Sequence, residues 1–239
     1  VSNNAVVVTM NMFGWSSGFT TAKVRTFWKY QIYAGASYNW WDIWWTSGSP
    51  FTLQPTNSSV NSATTYLLNS SSGTGSTIGI RSLAAAATPA APTMSAVTNK
   101  TVTGYVAPPN AEQPGTSTRI DAGDARLLQA VRTSAGIFAV GTTGCTVSGS
   151  TGKSCARLYH FTTGYSTVQD TIYGILRGNG TCCGYVSYPG IAVNDSGSLV
   201  MPFQYSSTSD YMSAAYTARR YNDAPGLQPW NSFAVGTKC

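Results

Sequence analysis

Short apolar or alternating runs recur along most of the chain, and clusters of Gly, Ser, Asn and Pro separate them. Helical periodicity is nearly absent. Alternation of this kind is typical of strands that bury one face, so the pattern predicts an all-β fold. The predicted strands cover residues 5–12, 22–33, 65–71, 77–83, 125–131, 136–143, 156–163, 168–176, 190–195, 198–206 and 214–221.

Two segments interrupt this pattern within what we take to be a single domain, residues 1–239. Residues 34–50 hold NWWDIWW between Gly and Ser residues, and we interpret them as a Trp-rich insertion in loop conformation. Residues 84–99 are rich in Pro and Ala, which favours a surface connection. No run of about 18 apolar residues occurs, so the sequence predicts no membrane partner.

Composition points away from the cytosol. Charged residues make up only 9% of the chain, against about a quarter in ordinary soluble domains. The net charge of +6 is dispersed, and the absence of a basic run argues against a nucleic-acid partner. We expect a secreted protein, and five sequons permit glycosylation: Asn57, Asn69, Asn99, Asn179 and Asn194.

The five cysteines agree with an extracellular location. Cys145 and Cys155 bracket the turn sequence VSGSTGKS, which predicts a disulfide across a hairpin. Neighbouring residues such as Cys182 and Cys183 rarely bridge each other, so we expect them to reach different partners, with Cys239 as one candidate. The odd count leaves one thiol for a second chain or for a segment missing from this one.

A faint repeat runs through the second half of the chain. AVRTSAGI (130–137) matches AVNDSGSL (192–199), each an apolar strand, a polar turn and an apolar strand. ARLYHF (156–161) has a counterpart in AAYTARR (214–220), and the start of the chain offers a third copy. The two clearest copies lie about sixty residues apart, in the range of one four-stranded propeller blade with long loops.

The units DARLLQAVRTSAGIFAVGTTG and YPGIAVNDSGSLVMPFQYSSTSDYMSAAYTARR resemble blades of the sialidase-like β-propellers of secreted bacterial proteins. The resemblance covers residues 120–222 best. It implies a β-propeller with about four to five blades in this chain, standing alone or as part of a larger ring, and a β-sandwich is the alternative. The family's Asp-box, S-x-D-x-G-x-T-W, has only a degenerate echo in NDSGSLV (194–200), so no catalytic residue carries over.

The tryptophan cluster is the first candidate ligand-binding site. In a strand, Trp40 and Trp44 would point to one side and Trp41 and Trp45 to the other, whereas on a helical turn all four would share one face. We expect part of the cluster to pack inside and part to form a contact surface. The surface would stack sugar rings on indole, with the sugar hydroxyls meeting Asp42 and Asn39.

The segment AEQPGTSTRIDAGDAR (111–126) provides a second candidate, a polar pocket on the propeller face. It gathers charged residues near the start of a strand: Glu112, Arg119, Asp121, Asp124 and Arg126. A cluster of salt bridges within a loop is the alternative interpretation. Loops at the end of a rigid scaffold are where binding sites usually form.

We expect no metal or other cofactor, with calcium as the one alternative. Asp121-x-x-Asp124 and Asn194-Asp195 are short oxygen-rich turns of the kind that calcium uses. A zinc site is not expected, because the chain has a single histidine, His160, and no C-x-x-C pair. His160 itself we interpret as a structural residue, since no nucleophile elbow accompanies it.

The sequence therefore favours a secreted, non-catalytic binding module that recognises carbohydrate or a protein partner. Two alternatives stay open. One is a glycoside hydrolase or lyase of sialidase-like fold. The other is a structural subunit of an extracellular assembly, joined to its neighbours through the tryptophans and the spare thiol.

Overall fold

The computed structural model describes residues 2–35, 37–176, 183–224 and 226–237. Strands take up 53% of the chain and helix about 2%, so the all-β prediction is confirmed. A single short helix occurs among the described residues, α1 (Lys29–Tyr33). The strands are β1 (Ala5–Gly14), β2 (Gly18–Trp28), β3 (Trp40–Trp44), β4 (Gln54–Ser58), β5 (Thr64–Asn69), β6 (Gly75–Ala84), β7 (Thr93–Met94), β8 (Thr98–Tyr105), β9 (Leu127–Thr133), β10 (Gly136–Val147), β11 (Ser150–Phe161), β12 (Thr167–Tyr173), β13 (Tyr185–Ser187), β14 (Ala192–Val193), β15 (Leu199–Ser206), β16 (Ser213–Arg219) and β17 (Asn231–Ala234).

The first sheet is antiparallel and has the order β1-β2-β3. The β1–β2 hairpin turns at Gly18, whose φ of +70° lies in the left-handed region that glycine adopts without strain. One face of the sheet is buried, and Val7 and Val24 pack there against Leu53 and Leu67 of the following segment. The other face is open to solvent.

Two local predictions in this sheet are wrong. The strand predicted over 22–33 ends at Trp28, whose indole is buried and donates a hydrogen bond to the Ala86 carbonyl oxygen. Burial of this ring fixes the end of β2, and the chain turns there into α1. The predicted loop conformation of NWWDIWW is also wrong, because Trp40–Trp44 forms β3 and pairs with β2.

The second sheet has nine strands in the order β12-β11-β10-β9-β4-β5-β6-β7, and β8 also pairs with β6. It is a curled half-barrel. Strands β9 to β12 form an antiparallel meander, and β4 to β6 form another. The two meanders are joined by the parallel pairing of β4 with β9, in which Thr56 lies opposite Ala130. Inside the curl is an apolar core that includes Leu68, Ile80, Tyr159 and Phe161.

The third sheet has the order β13-β15-β16-β17, with β14 also paired to β15. It packs against the outer side of β10 and β11, where Phe138 and Leu158 meet Met201 and Phe203. Strands β10 and β11 are thus covered on both faces, which explains their continuous apolar runs. In this half of the molecule the four-stranded meander β9–β12 and the five-stranded third sheet face each other as layers.

The predicted hairpin disulfide is confirmed, because Cys145 and Cys155 are bonded to each other across β10 and β11. Cys183 is also disulfide-bonded, and it packs beside Cys155 and Val147. Cys182 and Cys239 lie outside the described residues. The pairing predicted for them stays a prediction.

Candidate functional site

Strand alternation sorts the tryptophan cluster into two sets. Ile43 and Trp45 face inward and pack on the core of the first sheet. Trp40 and Trp44 face outward, with 51% and 57% of their surface exposed. The cluster is therefore part core and part surface, and the outward pair forms an exposed aromatic surface.

Asp42 lies between the two exposed indoles and is held by two cations. The Arg25 guanidinium grips its carboxylate with two hydrogen bonds of 2.7 Å, from Nε and Nη2. Lys23 Nζ lies 2.7 Å from the same carboxylate. Hydrogen bonding from Arg25, assisted by Lys23, lowers the pKa of Asp42 to about 2, so this carboxylate stays ionised at any physiological pH.

The same two cations lie over the tryptophan rings. The guanidinium carbon of Arg25 is 5.2 Å from the centroid of Trp40, and the ammonium of Lys23 is 5.7 Å from that of Trp44. Both distances are within the range of cation–π attraction. The five residues Trp40, Trp44, Lys23, Arg25 and Asp42 thus form one interlocked unit, which we call the aromatic platform.

The pairing register explains how the platform is assembled. Lys23 lies opposite Trp44 and Arg25 opposite Asp42, so all five side chains emerge on one face of the sheet. Apolar side chains of β1 continue this face beside the platform: Val8 lies opposite Arg25, and Met10 lies opposite Lys23. Both are more than one-third exposed.

A cavity of about 430 Å³ adjoins the platform on the side of Trp40. Phe27, Ile32, Gly35 and Tyr38 line it. The Tyr38 ring lies 5.8 Å from Phe27 and 6.4 Å from Trp40, centroid to centroid. The aromatic surface therefore extends beyond the platform.

The two other residues predicted for this site lie outside the platform. Asn39 is exposed just before β3, where its backbone N–H donates to the side-chain oxygen of Gln31. Trp41 is on the opposite face of the strand from Trp40, and 47% of it is exposed. The platform also contains two residues that the sequence interpretation missed, Lys23 and Arg25. Their alternation in AKVRTFW was the available signal.

The five residues predicted for a polar pocket do not form one group: four of them make two separate ion pairs, and Asp121 belongs to neither pair. Glu112 accepts a hydrogen bond of 2.9 Å from Arg119 and lies 3.7 Å from Lys153 Nζ. Burial opposes ionisation of Glu112, but hydrogen bonding with Tyr185 and the charges of Lys153 and Arg119 outweigh it, and the pKa is lowered. This group is an ion-pair cluster that ties the 106–126 loop to the disulfide hairpin.

The other pair is Asp124 and Arg126, joined by a 2.6 Å ion pair. Arg126 also donates to the Thr52 hydroxyl and lies over the Phe51 ring, so this pair links the second sheet to the segment after β3. Asp121 accepts a hydrogen bond from the Gly123 backbone N–H. The contacts of these residues are those of structural ion pairs and turns.

His160 is placed as a structural residue. Its ring stacks on Phe138 with centroids 4.0 Å apart, and Nε2 makes a 2.9 Å hydrogen bond with the Ala135 carbonyl oxygen. Burial lowers the pKa of His160. The ring is therefore neutral at pH 7, with the proton on Nε2.

Side-chain oxygens of the Asn194-Asp195 turn considered for calcium already accept hydrogen bonds from other residues of the protein. The Asn194 side-chain oxygen accepts from the Ser198 N–H, and the Asp195 carboxylate accepts from the Ser59 hydroxyl. Among the described residues, no group of three or more His, Cys, Asp or Glu side chains is arranged to hold a metal ion.

The third sheet carries a larger cavity, of about 580 Å³, that the sequence did not indicate. Its walls include Val193, Leu199 and Arg219. Arg219 donates a 2.5 Å hydrogen bond to the Gln169 side-chain oxygen. Its Nε is buried and has no hydrogen-bond partner among the described residues.

Comparison with protein-family models, curated proteins and solved structures finds no match to this chain. The resemblance to sialidase-like propellers thus stays an expectation from the sequence. Within the described ranges, no helix has the length and apolar character needed to cross a membrane. Functional conclusions therefore depend on the geometry of the chain itself.

Proposed function

We propose that the protein is a secreted, non-catalytic module that binds carbohydrate on the aromatic platform. The observation that carries the proposal is the exposure of Trp40 and Trp44 on one face of β3, with Lys23, Arg25 and Asp42 between them. An exposed aromatic patch with a polar centre is the usual mark of an interaction site.

The spacing of the two indoles suits an extended ligand. Residues four apart in a strand are separated by roughly 13 Å, which spans a short oligosaccharide rather than one sugar ring. The C–H face of a pyranose stacks on an indole, and its hydroxyls need hydrogen-bonding groups between the stacked rings. The platform has this arrangement of aromatic ends and a polar middle.

The platform is also pre-organised. The Asp42 bridges tie β3 to β2, and the cations over Trp40 and Trp44 restrict the rotation of both rings. Binding to a surface that is already ordered loses less conformational entropy. This favours a binding role for the cluster over a purely structural one.

The hydrolase alternative has less support. Hydrogen bonding with Tyr185 and the charges of Lys153 and Arg119 lower the pKa of the only glutamate, Glu112, whereas a general acid needs a raised pKa. The assembly alternative would use the same open face, because Val8, Met10 and Met12 add apolar surface beside the platform. A carbohydrate explains the ionic centre better than a purely apolar partner would.

The propeller predicted for the fold is part of this proposal. Its support is the face-to-face packing of the four-stranded meander β9–β12 on the five-stranded third sheet, since adjacent blades stack in this way. The parallel pairing of β4 with β9 is not a feature of separate blades, and a two-layer sandwich accounts for the same packing. A crystal structure of the protein is the test: sheets repeated around a central axis would support the propeller, and two stacked sheets without such repetition would refute it.

The test of function is a glycan panel read out by tryptophan fluorescence and titration calorimetry. We expect at least one oligosaccharide to bind, and Trp40→Ala and Trp44→Ala each to weaken binding by about tenfold or more. Trp15→Ala is the matched control, because Trp15 is fully exposed in the β1–β2 turn, off the platform. Failure of every glycan to bind, or binding unaffected by both platform variants, would refute the proposal.

A further inference from the structure

The platform offers a ligand many hydrogen-bond donors but few free acceptors. The Asp42 carboxylate, which is the acceptor at its centre, already receives Arg25 Nε, Arg25 Nη2 and Lys23 Nζ at 2.7 Å each. The pKa of about 2 shows how strongly these donors hold the ionised form. Little acceptor capacity is left for a ligand.

Donors remain in excess. An arginine has five N–H groups and a lysine ammonium three, and Asp42 takes two from Arg25 and one from Lys23. Both side chains are partly exposed, at 29% for Arg25 and 22% for Lys23. A ligand lying between the indoles therefore meets mainly N–H donors.

The platform also carries an excess of positive charge. Two cations against one carboxylate leave the centre of the platform with a charge of +1. The first 41 residues of the chain contain Lys23, Arg25 and Lys29 and no acidic residue. Asp42 is thus the first acid in the sequence, and it is neutralised within the platform.

From the excess of N–H donors and the excess of positive charge we infer that the platform recognises an anionic polysaccharide, one whose sugars carry carboxylate or sulfate groups. The inference rests on the proposed function and names its ligand class. The sugar faces stack on Trp40 and Trp44, and an anionic substituent between them accepts hydrogen bonds from Lys23 and Arg25. Neutral sugars fit less well, because each hydroxyl also donates and the central acceptor is occupied.

The direct test compares oligogalacturonate with its fully methyl-esterified form, because esterification removes the charge and keeps the sugar backbone. Dextran sulfate and dextran provide the same comparison for sulfate. We expect the anionic member of at least one pair to bind about tenfold or more tightly than its neutral partner, as hydrogen bonds to charged groups predict. Raising the salt concentration should weaken binding of the anionic form only.

The variant Lys23→Gln should lose most of this preference, while Lys100→Gln, the same charge change on β8 of another sheet, should keep it. Circular dichroism and the thermal midpoint check that both variants fold. Trp44→Ala should weaken both members of a pair, since stacking does not depend on the substituent.

The outcomes separate the two levels of the proposal. The anionic assignment is wrong if the charged and neutral forms of each polysaccharide bind equally well. It is also wrong if Lys23→Gln and Lys100→Gln both lose the preference for the charged form. Carbohydrate binding itself would not be contradicted by either result. Binding of polyglutamate as tight as that of oligogalacturonate also overturns the anionic assignment, because charge alone would then suffice. If no glycan, neutral or anionic, binds, the proposed function itself fails.

Discussion

The guanidinium carbon of Arg157 lies 4.0 Å from the centroid of the Tyr105 ring, in the interior of the curled sheet. Arg157 is 1% exposed, and no carboxylate of the described residues forms an ion pair with it. Its polar partners are the Tyr159 hydroxyl at 2.8 Å and the Ala125 carbonyl oxygen at 2.7 Å. Aromatic faces and neutral acceptors thus hold a buried cation.

This arrangement makes Arg157 a stability determinant. Arg157→Ala removes the cation and leaves a cavity and two unpaired polar groups, so we expect a loss of about 3 kcal/mol or more in the free energy of unfolding. Urea denaturation measures it. Arg220→Ala, at an exposed position, is the control and should change stability by less than about 0.5 kcal/mol. Equal effects of the two variants would contradict this role.

Because Trp44 and Trp45 point to opposite faces of the sheet, we expect Trp45→Ala to reduce stability and Trp44→Ala to reduce ligand binding. Trp45 packs on the core beside Ile43, and Trp45→Ala should destabilise the protein by about 2–3 kcal/mol. Trp44 projects to solvent, so Trp44→Ala should cost less than about 1 kcal/mol and act on ligand binding instead. Thermal and urea unfolding of both variants separate the roles, and a reversed order of stabilities would show that the strand faces are assigned wrongly.

Asp42 predicts an acid-sensitive contribution to stability. Its pKa is about 2 in the folded protein against 3.8 ordinarily. The stabilisation is therefore fully present above about pH 4 and is lost as the pH falls through about 2. For a pair at the surface we expect a contribution on the order of 1 kcal/mol after solvent screening. Asp42→Asn should flatten this part of the stability–pH curve. If the stability of Asp42→Asn depended on pH between 4 and 2 as steeply as that of the unsubstituted protein, the ion pair would not be the cause.

His160 gives a second pH dependence at higher pH. Burial lowers its pKa from 6.5, so the neutral ring stabilises the fold above that value, and stability falls as the pH drops below it toward the folded-state pKa. His160 is the only histidine, so its NMR titration can be assigned without ambiguity. His160→Phe keeps the stack on Phe138 and should remove the dependence below pH 6.5. Persistence of the full dependence would assign it to other groups.

Loss of the Cys145–Cys155 bond should weaken the hairpin that it spans. The bond closes a loop with a sequence separation of 10, for which the entropic estimate is about 2–3 kcal/mol. The double variant Cys145→Ser/Cys155→Ser should lose that amount in urea unfolding and keep the β-sheet circular dichroism signal. A loss well below 1 kcal/mol would mean that β-sheet pairing alone sets the hairpin's stability.

Alternation predicted most of the strands but not how they are joined. AVVVTMNM and SLVMPFQYS lie in β1 and β15, and their ends differ by one or two residues. Strand β3 was missed because flanking Gly and Ser residues suggested a loop, and β4 because it contains Pro55. The predicted strand over residues 22–33 ran too long, since tertiary packing of Trp28 ends β2, which no local pattern reveals.

The platform was predicted in part. The tryptophans and Asp42 were visible in the sequence, as was the division of the rings that a strand would impose. Lys23 and Arg25 could not be assigned to the site, because their position depends on the register between β2 and β3. The charged residues of the 111–126 segment were predicted to gather in one pocket. They instead form two separate ion pairs, Arg119 with Glu112 and Arg126 with Asp124, and Lys153 of β11 joins the first pair.

The parallel pairing of β4 with β9 has a consequence for biosynthesis. Thr56 and Ala130 meet across this pair, so about seventy residues must leave the ribosome before β4 gains its second neighbour. Until then its unpaired backbone edge is open to strands of other nascent chains. A chaperone that covers this edge during synthesis should therefore raise the yield of folded protein.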